Sequence, residues 1–184
     1  GIDGHGDAYV ANRGFAMQGT VTKIAARIED CVDRNNNGQI ETSTGPNALA
    51  YGADECVLWT ADAGAPGNVL RALAIDLGDA QEPDGYVWVG GYNNRKMWKM
   101  HPDDGRILGE YDVNVQPYGA IATADGNMWI STLGEGRLQS INTRTGDVNP
   151  VVDNPQALRG CASSYGIGLD HFGRIWMNGW SCPD

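Results

Sequence analysis

A run of oxygen-bearing side chains at two-residue steps is the part of this sequence best suited to chemistry. The stretch CVDRNNNGQIETS, residues 31–43, places Asp33, Asn35 and Asn37 at positions 1, 3 and 5 of a loop, with glycine at position 6. Calcium loops of this kind use side-chain oxygens at those three positions, glycine for the sharp turn and a backbone carbonyl at position 7. The spacing therefore predicts a structural calcium site.

The remaining positions define the expected ligand set and leave its last member open. Gln39 falls at position 7 and Glu41 at position 9, but position 12 is Thr44, whereas an EF-hand has a bidentate glutamate there. We predict that Asp33, Asn35, Asn37, Gln39 and Glu41 bind Ca²⁺, with the last carboxylate from Glu41 or from Asp30 or Asp54. Two carboxylates among neutral oxygens predict a Kd on the order of 10⁻⁴–10⁻³ M. The alternative is a solvated turn without metal, because Asn and Gly favour turns by themselves.

The cysteines predict the compartment. There are four, Cys31, Cys56, Cys161 and Cys182, and no pair has metal-finger spacing. Proximity in the sequence favours the disulfides Cys31–Cys56 and Cys161–Cys182, although four cysteines allow three pairings and buried free thiols are the alternative. Disulfides imply an oxidising location, so we expect a secreted, periplasmic or cell-surface protein. The first disulfide would close an inserted loop at residues 30–56, which calcium would also stiffen.

Charge and composition exclude several classes of protein. The formal net charge is −10, from 13 basic and 23 acidic residues, which argues against a nucleic-acid surface. No window is apolar and long enough to predict a membrane span. The 26 glycines, 6 tryptophans and 7 tyrosines accompany short apolar runs. This combination predicts an all-β protein with tight turns.

An internal repeat indicates which all-β fold this is. The lines RALAID, YGAIAT and YGIGLD each lead through a turn to an aromatic strand, and the opening GIDGHGDAY aligns with them. The aromatic anchors are Tyr9, Trp88, Trp129 and Trp176, about forty residues apart except for the first step, which the insertion lengthens. A repeat of this length predicts a β-propeller blade, with the anchors packed between blades. We expect residues 1–184 to form one propeller segment of about three and a half four-stranded blades.

The stretch DGNMWISTLGEGRLQSINTRTGDV, which begins at Asp125, resembles the repeats of the streptogramin lyase (virginiamycin B lyase)-like and NHL-type β-propeller superfamily. The resemblance recurs in all four units. It implies rings of six or seven blades, more than this chain can form. We therefore expect a segment of a longer protein, or a ring completed by further blades or chains.

The resemblance also implies a reaction, namely elimination that opens a cyclic lactone, with a histidine base and a magnesium ion held by glutamates. Tyr118 follows Pro117 where the family repeat can have histidine. The aromatic strands close on residues other than the family's glutamate, namely Asn12, Gly91, Thr132 and Gly179. The three histidines, His5, His101 and His171, fall in predicted turns. We therefore assign no catalytic and no cofactor-binding residue.

These observations predict a secreted binding or scaffold module with a structural calcium loop and a glycan, peptide or protein ligand. Propellers offer a loop-lined face and a central channel for such ligands. The aromatic stretches at residues 90–98 and 178–184 suit sugar stacking, with ordinary blade packing as the alternative. The alternative function is a streptogramin lyase-like or lactonase-like metal-dependent enzyme whose catalytic residues lie in blades absent from this chain.

Overall fold

The chain folds into four antiparallel sheets, as a computed structural model of residues 1–153 and 163–180 describes. Its one helical element in these residues is a single 3₁₀ turn at Ile28–Asp30. Among the described residues, no helix has the length and apolar character needed to cross a membrane. The predicted all-β class and partial propeller are confirmed, and each sheet is one blade.

The strands follow one another through the blades in chain order. Blade 1 contains β1 (Ala8–Asn12), β2 (Thr20–Ile24) and β3 (Val57–Asp62). Blade 2 contains β4 (Leu70–Ile75), β5 (Val87–Gly91), β6 (Lys96–Met100) and β7 (Ile107–Asp112). Blade 3 contains β8 (Gly119–Ala122), β9 (Asn127–Ser131), β10 (Arg137–Asn142) and β11 (Val152–Asp153). Blade 4 contains β12 (Ser163–Leu169) and β13 (Ile175–Trp180).

Two hydrophobic clusters hold neighbouring blades together. Tyr9 and Val21 of blade 1 pack with Val89 and Trp98 of blade 2 in the first cluster. Trp88 and Met97 of blade 2 pack with Met128 and Ile130 of blade 3 in the second. Because blade 2 is covered on both faces, all five residues of β5 are buried instead of alternating.

The aromatic anchors lie in β1, β5, β9 and β13, which hold the same repeat position, and three of the anchors each donate a hydrogen bond to an aspartate. The hydroxyl of Tyr9 and the indole N–H groups of Trp88 and Trp176 each donate to a carboxylate at the end of the preceding stretch, at 3.0, 2.8 and 2.9 Å. These carboxylates belong to Asp3, Asp76 and Asp170. Thr123 holds the corresponding position before Trp129 in blade 3. Tyr9 and Trp88 are buried between blades as expected, whereas Trp176 is 60 % exposed on the last described sheet.

The innermost strands define the axial side of the propeller. Strands β4, β8 and β12 each start a blade and lie side by side, and β1 lies next to β4. Residues that precede or begin these strands are therefore brought to one end of the shared inner surface.

A glycine controls how closely blades 2 and 3 approach. A Cβ atom at Gly90 would lie 2.5 Å from Cβ of Pro117 and 2.6 Å from Sδ of Met97. We predict that Gly90→Ala lowers the free energy of unfolding by about 1–3 kcal/mol, because the added methyl overpacks this contact. Urea unfolding measures the change.

The matched control is another strand glycine. A Cβ atom at Gly168 would have no heavy atom within 4 Å. Gly168→Ala should therefore leave stability within about 0.5 kcal/mol. Equal losses in the two variants would contradict the packing argument.

Candidate functional sites

The long connection between β2 and β3 is anchored to blade 1 from both ends. The Cys31–Cys56 disulfide closes it, with the two Cα atoms 4.4 Å apart. The Arg34 guanidinium donates to the backbone carbonyls of Asp54 (3.0 Å) and Val57, and so ties the connection to the start of β3. The predicted disulfide Cys31–Cys56 is thereby confirmed. The predicted partner pair, Cys161 and Cys182, lies outside the described residues.

Within this connection, residues 33–41 fold around the carboxylate of Asp33. Its oxygens accept hydrogen bonds from the backbone N–H groups of Asn37 at 3.2 Å and Gly38 at 2.8 Å. Gly38 has φ +80°, a left-handed conformation that glycine adopts without a steric penalty. Gly38, at position 6 of the loop, thus makes the sharp turn that the sequence predicted for it.

The side chains of Asn35 and Asn37 converge on Glu41. The amide nitrogens of Asn35 and Asn37 donate to the two oxygens of its carboxylate at 2.9 and 2.7 Å. Gln39 is exposed, and its N–H donates to Oδ1 of Asn37 at 2.8 Å. The loop therefore gathers two carboxylates and two amides, the donor types that Ca²⁺ takes. An amide that turns over presents its oxygen in place of its NH₂ group.

The two alternative carboxylates serve other contacts. Asp30 lies 3.0 Å from Nε2 of His5, a hydrogen bond that raises the pKa of the histidine. Asp54 accepts the backbone N–H groups of Ser43 at 3.0 Å and Cys56 at 3.1 Å. Glu41 is therefore the carboxylate that faces the loop asparagines.

Sequence reasoning missed Glu55, whose buried carboxylate holds the loop by accepting hydrogen bonds from its backbone. The residue is only 3 % exposed, and its carboxylate accepts the N–H groups of Glu41 at 3.0 Å and Arg34 at 2.7 Å. The hydrogen bond from Glu41 is the main cause that lowers the pKa of Glu55, and the N–H of Arg34 acts in the same direction. Its position beside Cys56 was the one available signal, and spacing alone does not distinguish it from Asp54.

A second site lies at the axial end of the innermost strands. Arg71, Tyr118 and Tyr165 occupy one repeat position, each five residues before the position of Asp76, Thr123 and Asp170. Arg13 and Tyr92 share another, each four residues after the anchors Tyr9 and Trp88. We call the surface formed by these five residues the axial cleft: Arg13, Arg71, Tyr92, Tyr118 and Tyr165.

Aromatic and cationic contacts hold the axial cleft together. The Arg71 guanidinium carbon lies 4.7 Å from the ring centre of Tyr118 and 5.7 Å from that of Tyr92. The Tyr118 and Tyr165 rings are 5.2 Å apart, and a hydrogen bond between their side chains is the first cause that raises the pKa of Tyr118. The cleft contains an open cavity of about 310 Å³, and the residues that line it are Ala11, Arg13, Leu70, Arg71, Tyr118 and Tyr165.

Other predicted positions lie apart from the axial cleft. Trp98, in the stretch proposed for sugar stacking, is 1 % exposed and donates to Glu110 at 2.8 Å, which agrees with the packing alternative. His101 lies 2.9 Å from Glu82, and the ring centres of His171 and Phe172 are 3.7 Å apart. Each of the three histidines thus contacts a different partner.

Comparisons with solved structures establish the fold. Virginiamycin B lyase from Staphylococcus aureus superposes with a TM-score of 0.60 at 16 % identity, over 96 % of this chain and 46 % of that one. A protein of unknown function from Bacteroides caccae gives a TM-score of 0.60 at 13 % identity, over 95 % of this chain and 53 % of that one. A putative 6-phosphogluconolactonase from Bacteroides uniformis gives 0.55 at 14 % identity, over 94 % and 47 %.

These likenesses concern architecture. The chain has a streptogramin lyase-like β-propeller fold, as the sequence resemblance predicted, and it spans about half the length of the solved structures it matches. No protein-family model matches the sequence. No curated protein matches it either.

Because the carboxylate of Glu55 accepts hydrogen bonds from the loop, we predict that the stability of the loop depends on pH. The pKa of Glu55 is lower in the folded protein than in the unfolded chain, where it is about 4.3. Its stabilisation of the loop is therefore fully present above about pH 4.3 and is lost as the pH falls through the folded-state pKa. We expect exchange of the Arg34 and Glu41 amide hydrogens, measured under chelation, to quicken relative to the intrinsic rate as pH falls through that range. Glu55→Gln should quicken exchange of these amides at neutral pH about tenfold, since one acceptor oxygen is replaced by a donor.

The control for this prediction is Asp153→Asn, an exposed acid paired with Arg137 at 3.1 Å. It should leave both amides unchanged. Exchange as slow in Glu55→Gln as in the parent chain would show that the buried carboxylate does not hold the loop.

Proposed function

We propose that this chain, with its streptogramin lyase-like propeller fold, is an extracytoplasmic binding module whose blade-1 insertion is stiffened by calcium. The observation that carries the binding role is the axial cleft, where two repeat positions bring aromatic and cationic side chains around one cavity. A concave surface with aromatic walls and a few charged groups is typical of ligand sites. The ligand class in this proposal is a glycan, peptide or protein.

The location rests on the disulfide. Cys31 and Cys56 are bonded, and disulfides persist in oxidising compartments. A secreted, periplasmic or cell-surface protein is the proposal that this bond supports. Because the chain spans about half of its structural neighbours, we also propose that further blades or further chains complete the ring.

The calcium proposal rests on the donor set at the insertion. The amides of Asn35 and Asn37 lie against the carboxylate of Glu41. With those amides turned over, Asp33, Asn35, Asn37 and Glu41 would supply side-chain oxygens, and Gln39 would supply its backbone carbonyl. All of these are hard oxygen donors, which suit Ca²⁺ better than Zn²⁺ or Cu²⁺. The bound ion would cross-link residues 33 to 41, and the disulfide and Glu55 would connect that unit to blade 1.

Metal addition after chelation tests the calcium proposal. We predict that 10 mM Ca²⁺ raises the melting temperature by about 2–5 °C, as mass action gives for a Kd near 10⁻³ M, and that Mg²⁺ has a smaller effect. Differential scanning calorimetry measures the shift. Asp33→Ala should abolish it, and Asn37→Asp should enlarge it because a second amide ligand becomes a carboxylate.

Asp104→Ala is the matched control, since it removes one exposed acid that pairs with Arg106 far from the loop in sequence. The calcium shift should survive in this variant. A shift of equal size in Asp33→Ala, or none in the parent chain, would reduce residues 33–41 to an Asn-rich turn.

A lyase-like or lactonase-like enzyme is the second candidate, and the fold likeness is the observation that favours it. The repeat position that can carry histidine in the streptogramin lyases holds Tyr118 here. We therefore predict no opening of a streptogramin B antibiotic by this chain. The assay is chromatographic, because elimination opens the ring without a change in mass. A ring-opened product that forms in proportion to protein concentration would support the enzyme instead.

A further inference from the structure

We propose that the axial cleft binds the carboxylate of an acidic sugar, through Arg71 and Arg13, with a sugar ring against the tyrosines. This inference rests on the proposed binding function and narrows its ligand to one chemical class. The notable feature is a cationic site on a protein whose formal net charge is −10.

Arg71 has a hydrogen-bond donor for which the described part of the chain supplies no acceptor. Its Nε is buried and has no hydrogen-bond partner there. The guanidinium lies against the rings of Tyr118 and Tyr92, so aromatic contacts on those rings position it without using its N–H donors. A buried donor that lacks a partner is rare in folded proteins and calls for an explanation such as a missing ligand.

Arg13 adds a second positive charge at the same cavity. It lines the cavity with Arg71, and both charges act on Tyr118 to lower its pKa, against the larger effect of Tyr165. Within the described residues, neither arginine lies within 4.0 Å of a carboxylate. Most other described cations do have such a partner: Lys23, Arg95, Lys96, Lys99, Arg106, Arg137 and Arg174.

The shape of the site favours a carboxylated ring over a bare ion. A guanidinium presents its N–H groups as a planar fork, which matches a carboxylate through two parallel hydrogen bonds. Leu70, Ala11 and the tyrosine rings supply apolar surface next to that fork. A uronic acid carries both features, since its carboxylate is attached to a ring whose C–H face packs on an aromatic side chain.

The cavity volume restricts the ligand further. About 310 Å³ lies at the lower end of the range for small-molecule sites, so it admits a group of monosaccharide size. An extended acidic peptide would need a longer groove or an open sheet edge. We therefore commit to a uronic sugar and treat an acidic peptide as a competing outcome.

Isothermal titration calorimetry with trigalacturonate tests the proposal, and its methyl ester is the matched neutral probe. We expect saturable binding of trigalacturonate at low ionic strength, at least tenfold weaker binding of the ester, and binding that weakens as salt is added. Arg71→Met should weaken trigalacturonate binding at least tenfold. Arg71→Lys, which keeps the charge but loses the fork, should give an intermediate loss.

Arg144→Met is the control variant, because Arg144 is exposed in the turn after β10 and its loss changes the net charge equally. It should bind trigalacturonate within twofold of the parent chain. Unchanged calorimetric unfolding of each variant shows that the cleft, and not the fold, was altered.

Three results would overturn the inference, and each would leave a different conclusion about the ligand. Equal binding of acid and ester would refute the anion site and leave a neutral-glycan module. Arg71-dependent binding of pentaglutamate without trigalacturonate binding would replace the sugar with a peptide. No saturable binding of any probe up to 10 mM would refute the inference, while the calcium test judges the insertion independently.

Discussion

An aspartate carboxylate that precedes the aromatic strand is the contact on which the register of blades 1, 2 and 4 depends, and Thr123 takes its place in blade 3. In blade 2, Asp76 accepts the indole N–H of Trp88 at 2.8 Å and the backbone N–H groups of Gly78 and Tyr86 at 2.9 and 2.8 Å. One side chain thus closes the turn and sets the register of the next strand. Asp3 and Asp170 make the equivalent three bonds in blades 1 and 4.

That fixed register also determines what faces the axis. Counting back five residues from Asp76, Thr123 and Asp170, which share one repeat position, reaches Arg71, Tyr118 and Tyr165 in three successive blades. The same backbone repeat therefore carries a cation in one blade and aromatic rings in the next two. Because the framework is repeated, side chains at this position vary without disturbing the sheets, which is how one fold supports different ligands. The insertion, in contrast, is attached to blade 1 through its own disulfide and Glu55.

Much of this architecture could be predicted from the sequence, for a physical reason. Blades repeat because each must bury an aromatic strand against its neighbour, so the period and the anchors Tyr9, Trp88 and Trp129 are visible in the residue pattern. The Cys31–Cys56 bond followed from proximity along the chain. Glu55 and the axial cleft did not, because their partners meet only after the sheets pack, and a glutamate beside a cysteine has no characteristic spacing. The stretch at residues 90–98 divides for the same reason, since Tyr92 contacts Arg71 at the cleft while Trp98, six residues later, is buried in the core.

A double-mutant cycle on Asp76 and Trp88, with Asp76→Ala and Trp88→Phe made singly and together, tests most directly whether the carboxylate sets the register. Trp88→Phe removes the indole donor and keeps a ring in the core. If the carboxylate sets the register of the blade through this bond, urea unfolding will give a coupling free energy of about 1–3 kcal/mol. Losses that add to within about 0.5 kcal/mol would show that the two side chains act independently. Apolar packing alone would then hold the blade, and the carboxylate would not set its register.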